Sequence, residues 1–503
     1  MEALQGLAGG FAEALTLTNL FFVLVGVTAG TLVGILPGLG PPATIAILLP
    51  LTINLEPATG LIMLAGIYYG AKYGGSTTSI LLNIPGESAS VVTCLDGYAM
   101  ARQGRAGPAL GIAAIGSFVA GTIGIIGFTF LAPLIAAVAI NIGPPEYAGI
   151  MVFALTSVVL LAGDSVLKGL LAALAGLLLA TVGIDIISGA ARYTFGQTEF
   201  LDGIEFIALS IGVFAVAEVM INVEQKTGRP IFTVPRRLRE LMPTRQDLKQ
   251  SRFAILQGSV IGFVIGALPG AGSTVASFIS YTVQKRISPN RESFGKGAID
   301  GVAAPEAANN SETGGALIPL FSLGIPGSGT TAILLGALIL YGLDPGPLLF
   351  EENPDIIWPI IASMYLGNVM LLVLNLPLVP VFASVLRIPY HLLYPGILIV
   401  CIVGVYSVRN SIFDVVLLAV FGLVGYFMRK LDVPAAPLVL AFVLGPLAER
   451  AVRQSLIISQ NDWTIFLTRP VAAVFLLLAL LLLGGSLVGR GRAARKEVLE
   501  VDT

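Results

Sequence analysis

Long apolar stretches alternate with short clusters of Gly, Pro, Ser and Thr along almost the whole chain. Val471 to Gly489 runs without a charge, and Ile207 to Ile221 is broken only by Glu218. The pattern predicts helices over 18–36, 42–55, 60–72, 109–140, 147–162, 166–187 and 204–222. It continues with 254–268, 273–284, 313–340, 356–386, 394–406, 412–430, 436–448 and 471–489. Several fall short of the roughly 20 residues that a full membrane span needs. The stretches 109–140 and 356–386 are each long enough for two short helices or one tilted one. Short pieces flank the Gly/Pro clusters, so the expected fold is an all-α polytopic membrane protein with broken helices and re-entrant hairpins.

Composition turns that expectation into a class. Hydrophobic residues make up 55% of the 503 positions, charged residues 12%, and the mean hydropathy is +0.90. A soluble domain carries about 25% charged residues, so lipid must be the second solvent. A net charge of −2 is silent about partners, but its distribution is not. No Lys or Arg precedes Lys72, whereas Lys226 to Arg252 holds eight bases against Glu240 and Asp247. Arg490, Arg492, Arg495 and Lys496 add a basic tail. The positive-inside rule places linker and tail in the cytoplasm and the N-terminus outside it. No basic n-region or small-residue cleavage site is seen, so no removable signal peptide is expected. The linker is short, Pro-punctuated and flanked by spans, which argues against a nucleic-acid site. Cys94 and Cys401 lie far apart outside any CxxC and are expected to fill apolar packing sites.

The chain also resembles itself. Gly34-Ile-Leu-Pro-Gly-Leu-Gly40 returns as Gly266-Ala-Leu-Pro-Gly-Ala-Gly272, and Asn83-Ile-Pro-Gly-Glu-Ser-Ala-Ser90 as Gly324-Ile-Pro-Gly-Ser-Gly-Thr-Thr331. Gly74-Gly75 and Gly314-Gly315 precede the second motif in each copy, and Gly104 to Pro108 and Gly342 to Pro347 follow it. Tyr147 to Ile150 matches Tyr394 to Ile397, and Ser165 matches Ser411. These landmarks keep their order, which predicts two membrane repeats (1–223 and 253–489), a basic cytoplasmic linker (224–252) and a cytoplasmic tail (490–503). Equivalent loops carry opposite Lys/Arg bias: Arg102 and Arg105 have no basic counterpart near Asp344, and Lys285, Arg286, Arg291 and Lys296 have none near Glu56. Opposite bias is the expectation for inverted repeats.

Gly and Pro at membrane depth mark helix breaks, tolerated only where protein or water shields the freed backbone. A break bares N–H groups that attract anions and carbonyls that suit a small cation. Duplicated breaks point to a transporter's central site. Pro37-Gly38-Leu39-Gly40, Pro269-Gly270-Ala271-Gly272, Pro85-Gly86 and Pro326-Gly327 are four such breaks. Around them stand Ser76, Thr77, Thr78, Ser79, Asn83, Glu87 and Ser88, then Ser273 and Thr274, then Asn309, Asn310, Ser311, Thr313, Gly324, Ser328, Thr330 and Thr331; Gly272 closes the second LPG motif. An oxygen-rich, weakly charged shell of this kind binds carboxylates by hydrogen bonding, or sodium, with Asn83 and Thr330 as the candidate sodium positions. The competing explanation is close packing at Gly and Ser/Thr bonding between helices; duplication of the polar residues favours the site.

At these residues the chain resembles a known family. The segment Tyr73 to Leu110, YGGSTTSILLNIPGESASVVTCLDGYAMARQGRAGPAL, together with GILPGLGPPATIAILLP from Gly34 to Pro50, is similar to the signature regions of the tricarboxylate transporter large subunit, TctA type. The resemblance extends over essentially the whole chain and includes the second LPGAGS and GIPGSGTT copies. It implies a three-part uptake system in the bacterial inner membrane: this permease, a small TctB-like membrane subunit and a periplasmic TctC-like binding protein delivering citrate or a related carboxylate. It also implies sodium or proton coupling and alternating access, with no other cofactor.

Glu87, Glu146, Asp164, Asp185, Glu218, Glu306 and Glu312 are acids near membrane depth that can serve a cation path. Glu87 and Glu312, beside the repeat motifs, rank first; most of the others are expected at interfaces or paired with Lys72, Lys168 or Arg192. Lys72 can meet a substrate carboxylate or snorkel to the surface. His391, the one histidine, stands in a Pro/Tyr turn, where a loop role is expected. One histidine excludes an HExxH protease, and no GxxxxGK[ST] phosphate loop supports a primary pump. A channel wants a continuous wet pore, which paired broken helices fit less well than a single occluding site.

Overall fold

The computed structural model describes all residues except 1, 37–38, 141, 162–164, 186–187, 225–236, 271, 388–389 and 485–503. Six described helices are long and apolar enough to cross a membrane: Leu17–Gly34, Ala106–Ala139, Phe206–Glu224, Pro354–Asn375, Ile412–Lys430 and Ala435–Ile458. On Ile412–Lys430 the inward stripe is Leu417, Leu418, Phe421, Gly422 and Gly425, while Ile412, Val416, Val420, Leu423 and Phe427 stand exposed. An apolar outer face is what lipid requires. The protein is an all-α, multi-pass membrane protein, and its β-structure among the described residues is one two-residue pairing, Gly183–Ile184 with Ala191–Arg192.

The chain forms two compact units, 1–137 with 205–430 and 138–204 with 431–503. These do not follow the predicted sequence halves, since each draws residues from both. In the first unit the two innermost helices are polar: Pro57–Leu82 and Asp300–Leu323, both buried along nearly their whole length. They carry Lys72, Ser76, Thr77, Thr78 and Ser79 on one, and Glu306, Asn309, Asn310, Ser311 and Glu312 on the other. Neither matches the predicted stretches. The first was expected to stop at residue 72, and 313–340 was expected to begin where the second is just over half complete. A reading that treats polar residues as span boundaries cuts such helices short, because their solvent is other protein and not lipid.

Each polar helix is paired with a partner by glycines. Gly26, Gly30 and Gly34 of Leu17–Gly34 face the carbonyls of Met63, Ile67 and Ala71. Gly258, Gly262 and Gly266 of Arg245–Gly266 face those of Ala304, Ala308 and Glu312. A Cβ at any of the six would lie closer than 3.0 Å to backbone, so only Gly permits these approaches. Gly74 and Gly315 meet the facing helix at corresponding places, Thr31 and Ile35 in one pair, Phe263 and Ala267 in the other. The contacts therefore register Gly74 with Gly315, the same offset that aligns Asn83 with Gly324 in the sequence.

Other boundaries moved less. Ile412–Lys430 coincides with its prediction, Ala106–Ala139 is a single helix with Pro133 inside it, and 356–386 divides into Pro354–Asn375 and Val379–Ser384. Phe206–Glu224 contains a π-helical segment, Ile211–Val216, where Gly212 packs on Phe421. His391 lies in the first turn of the helix Tyr390–Arg409 and not in a loop. Cys94 and Cys401 are buried free thiols. In the second unit, Pro144–Leu161 and Val166–Ala180 pack against Ala435–Ile458, with Gly176 against the Leu438 carbonyl. Asp185, Arg192, Glu449 and Arg453 form an ionic cluster there, with Arg453–Asp185 at 2.7 Å and Arg192–Glu449 at 2.8 Å.

Candidate functional site

Both polar helices end in the same way. Pro57–Leu82 is closed by Asn83 in the left-handed conformation (φ 57°, ψ 34°), and Asp300–Leu323 by Gly324 (φ 67°, ψ 26°). A left-handed residue terminates a helix, and Asn and Gly adopt it most readily. Ile-Pro-Gly follows each. The chain then re-enters helix through a reciprocal cap. The Glu87 N–H donates to Ser90 Oγ at 3.3 Å, and the Ser328 N–H donates to Thr331 Oγ1 at 2.8 Å, each opening the next helical segment. Capping boxes satisfy backbone groups that a break would leave bare.

The LPG corners lie beside these caps. The Gly270 N–H donates to the Gly327 carbonyl at 2.8 Å, and Gly270 and Gly272 take positive φ of 87° and 62°. In the other set, Gly40 opens Pro41–Leu48, with the Cβ of Glu87 near it, and Gly86 lies against Gly75 and the Gly34 carbonyl. Thr274 Oγ1 donates to Ser88 Oγ at 3.0 Å, joining the second LPG segment to the first IPG segment. Three of the four breaks are thus connected through described residues; Pro37 and Gly38 lie outside them. Asn83 and Ser88 are exposed, whereas Gly324, Pro326, Gly327, Thr330 and Thr331 are buried. Pro85, Pro269, Ser273 and Thr274 are half-buried.

Beneath the caps the two polar helices are joined by charge. Lys72 Nζ donates to Glu312 Oε2 at 2.6 Å, to the Asn309 carbonyl at 3.0 Å and to Asn309 Oδ1 at 3.2 Å. That uses all three ammonium donors, and Nζ also stands 5.3 Å from the Tyr68 ring centroid. At 1% exposure Lys72 does not snorkel. Asn309 Nδ2 passes the link on to Glu87 Oε1 at 2.6 Å. Ser76 and Thr93 hydroxyls each donate to one oxygen of the Glu306 carboxylate. Asn310 Nδ2 donates to Ser117 Oγ at 2.7 Å and to the Glu306 carbonyl at 3.2 Å. Thr78 is turned back onto the Gly75 carbonyl, and Thr77 and Thr313 are fully enclosed.

The remaining acids divide by position. Glu146 faces Arg469 at 3.9 Å, Asp185 pairs with Arg453 and Arg192, and Glu218 with Arg429. Asp164, the linker residues 225–236 and the tail beyond 484 lie outside the described residues. Lys168, expected beside an acid, donates instead to the Leu431 carbonyl at 2.6 Å.

Sequence reasoning passed over two features. The triple Gly-x3-Gly-x3-Gly spacing is legible at Gly26 to Gly34 and again at Gly258 to Gly266. The joining of Thr93 to Glu306 is not, because 213 residues separate them and no local pattern marks the pair.

Two comparisons bear on identity, and no solved structure matches the chain. An uncharacterized 52.8 kDa protein from the TAR-I ttuC' 3' region of Agrobacterium vitis is 45% identical over 498 residues, covering 99% of each chain. A second uncharacterized protein of that organism, from the TAR-II ttuC' 3' region, is 45% identical over 241 residues, covering 48% of this chain and all of its own. The tripartite tricarboxylate transporter TctA family model matches residues 20–440. With the membrane-spanning architecture and its paired helix breaks, that match over most of the chain places the protein in the tripartite tricarboxylate transporter TctA family.

Proposed function

We propose that this chain is the large permease subunit of a three-part secondary uptake system for small tri- or dicarboxylates of the citrate type. The observation that carries this reading is the repeated break: two buried polar helices, each ended by a left-handed residue, an IPG corner and a reciprocal cap. Backbone N–H groups and hydroxyls at such corners suit carboxylate oxygens. In this reading the site comprises the four breaks with Ser76, Thr77, Thr78, Asn83, Ser88, Ser273, Thr274, Asn310, Thr313, Thr330 and Thr331. The shared break geometry and the opposite loop charges support two inverted repeats that alternate access.

The remaining parts of the proposal follow from the family. A small TctB-like membrane subunit and a periplasmic TctC-like binding protein complete the system, and a sodium or proton gradient drives it. The chain sits in the bacterial inner membrane with linker and C-terminus in the cytoplasm and N-terminus outside. Reconstitution with the two partners tests this. Citrate accumulated against its gradient, and lost on adding an ionophore, is the expected result. Equilibration without accumulation, at channel-like flux, would reject a carrier, and no flux of any tested carboxylate would leave a scaffold role.

A further inference from the structure

We infer that Glu306 is the carboxylate that binds the coupling cation, a proton or a sodium ion, within a shell made by Ser76, Thr93 and Asn310; this rests on the carrier reading above.

Three acids and one base meet where the polar helices touch: Glu87, Glu306 and Glu312 with Lys72. Lys72 balances one of the three. Glu312 holds the ammonium, and Glu87 accepts from the Asn309 amide beside a partly open corner. The sequence ranked those two acids first, yet both already have nitrogen donors. Glu306 is fully buried, at 0% exposure, and no salt bridge reaches it among the described residues. Its side-chain partners there are the hydroxyls of Ser76 and Thr93. An unpaired buried carboxylate is costly, and Glu306 alone of the three has no nitrogen donor among the described side-chain partners.

The shell has the right chemistry for a charge that comes and goes. Ammonium and amide N–H groups only donate, whereas a hydroxyl donates to a carboxylate and turns round to accept from a carboxylic acid or to ligate a metal ion. Ser76 and Thr93 can therefore serve both states of Glu306. A separate observation points to a ligand. Asn310, one turn along the same helix face and fully buried, spends its amide on Ser117 and the Glu306 carbonyl and leaves Oδ1 without a partner. With this amide oxygen turned to the carboxylate and its two hydroxyls, the shell would supply the all-oxygen set that hard cations take. The other titratable groups that feel Glu306 are Lys72 and Tyr73 on the facing helix and Glu87 at the first IPG corner. Lys72 is committed to Glu312, and Tyr73 donates to Asn368 at 3.0 Å.

Thermal unfolding of the purified chain tests this without substrate. Sodium chloride is titrated against choline chloride at constant ionic strength, and pH is varied in choline alone. A sodium-dependent rise in Tm assigns sodium; a pH-dependent step without a sodium response assigns the proton. In either case Glu306→Gln should lose the response and Glu306→Asp should keep it. Where Glu306→Gln does not fold, Ser76→Ala and Thr93→Ala should each move the half-effective cation concentration by about tenfold. A wild-type response retained in Glu306→Gln, an unmoved midpoint in both hydroxyl variants, or no cation response in the parent would each overturn the inference. Because no carboxylate is present, those results leave the carrier reading to the accumulation experiment, which can fail independently.

Discussion

Lys72 illustrates how one side chain can be both committed and costly. Removing either partner of a buried pair strands the other, at about 3–5 kcal/mol. Lys72→Met should therefore lower Tm steeply, and Lys72→Met combined with Glu312→Met should regain most of the loss. A double variant no more stable than the single one would show that the pair is not the dominant contact. Asn83 and Gly86 separate conformation from space. Asn83→Ala should be less stable than Asn83→Gly by about 1–2 kcal/mol, the cost of its left-handed backbone, read in the same melting experiment. Gly86 cannot take a side chain without a shift of backbone, because a Cβ there would stand 2.5 Å from the Gly75 Cα and 2.9 Å from the Gly34 carbonyl. At Gly327 the nearest atom is 3.5 Å away. Gly327→Ala is thus the informative variant: normal folding with lost citrate accumulation supports a site, and wild-type accumulation would mean that the corner only packs.

The helix pairs carry their own prediction. Gly262→Ala sets a methyl against the backbone of Ala308, and Gly30→Ala against that of Ile67. Both should reduce the yield of folded protein in detergent, while Gly9→Ala, with nothing within 4 Å, should be neutral or slightly stabilising. Elements were legible where lipid is the neighbour. Ile412–Lys430 was read to the residue because its outer face must be apolar. The helices at the centre were not, because hydropathy carries no signal for a polar residue whose neighbours are polar residues of another helix. The breaks themselves were legible, through Pro and Gly. Their mutual arrangement was not: Thr274 to Ser88 and Asn309 to Glu87 are contacts between segments about 200 residues apart, and nothing local encodes them.

At the scale of the whole molecule the proposed orientation rests on the basic segment. Arg237 is exposed, and Arg105 pairs with Asp247 at 2.7 Å where the linker re-enters helix. A single cysteine introduced at Arg237, in a Cys94→Ala and Cys401→Ala background, should resist an impermeant thiol reagent in intact cells and react after permeabilisation. Ready labelling from outside would invert the proposed topology.

The glycine rungs have a mechanical consequence. Backbones in direct contact at three successive turns cannot slide by a fraction of a turn without collision, and no side chains lie between them to yield. Leu17–Gly34 with Pro57–Leu82, and Arg245–Gly266 with Asp300–Leu323, should then each travel as one stiff beam. Compliance falls to the short capped corners at their ends, which places the hinges of any opening movement next to the groups that would hold the cargo.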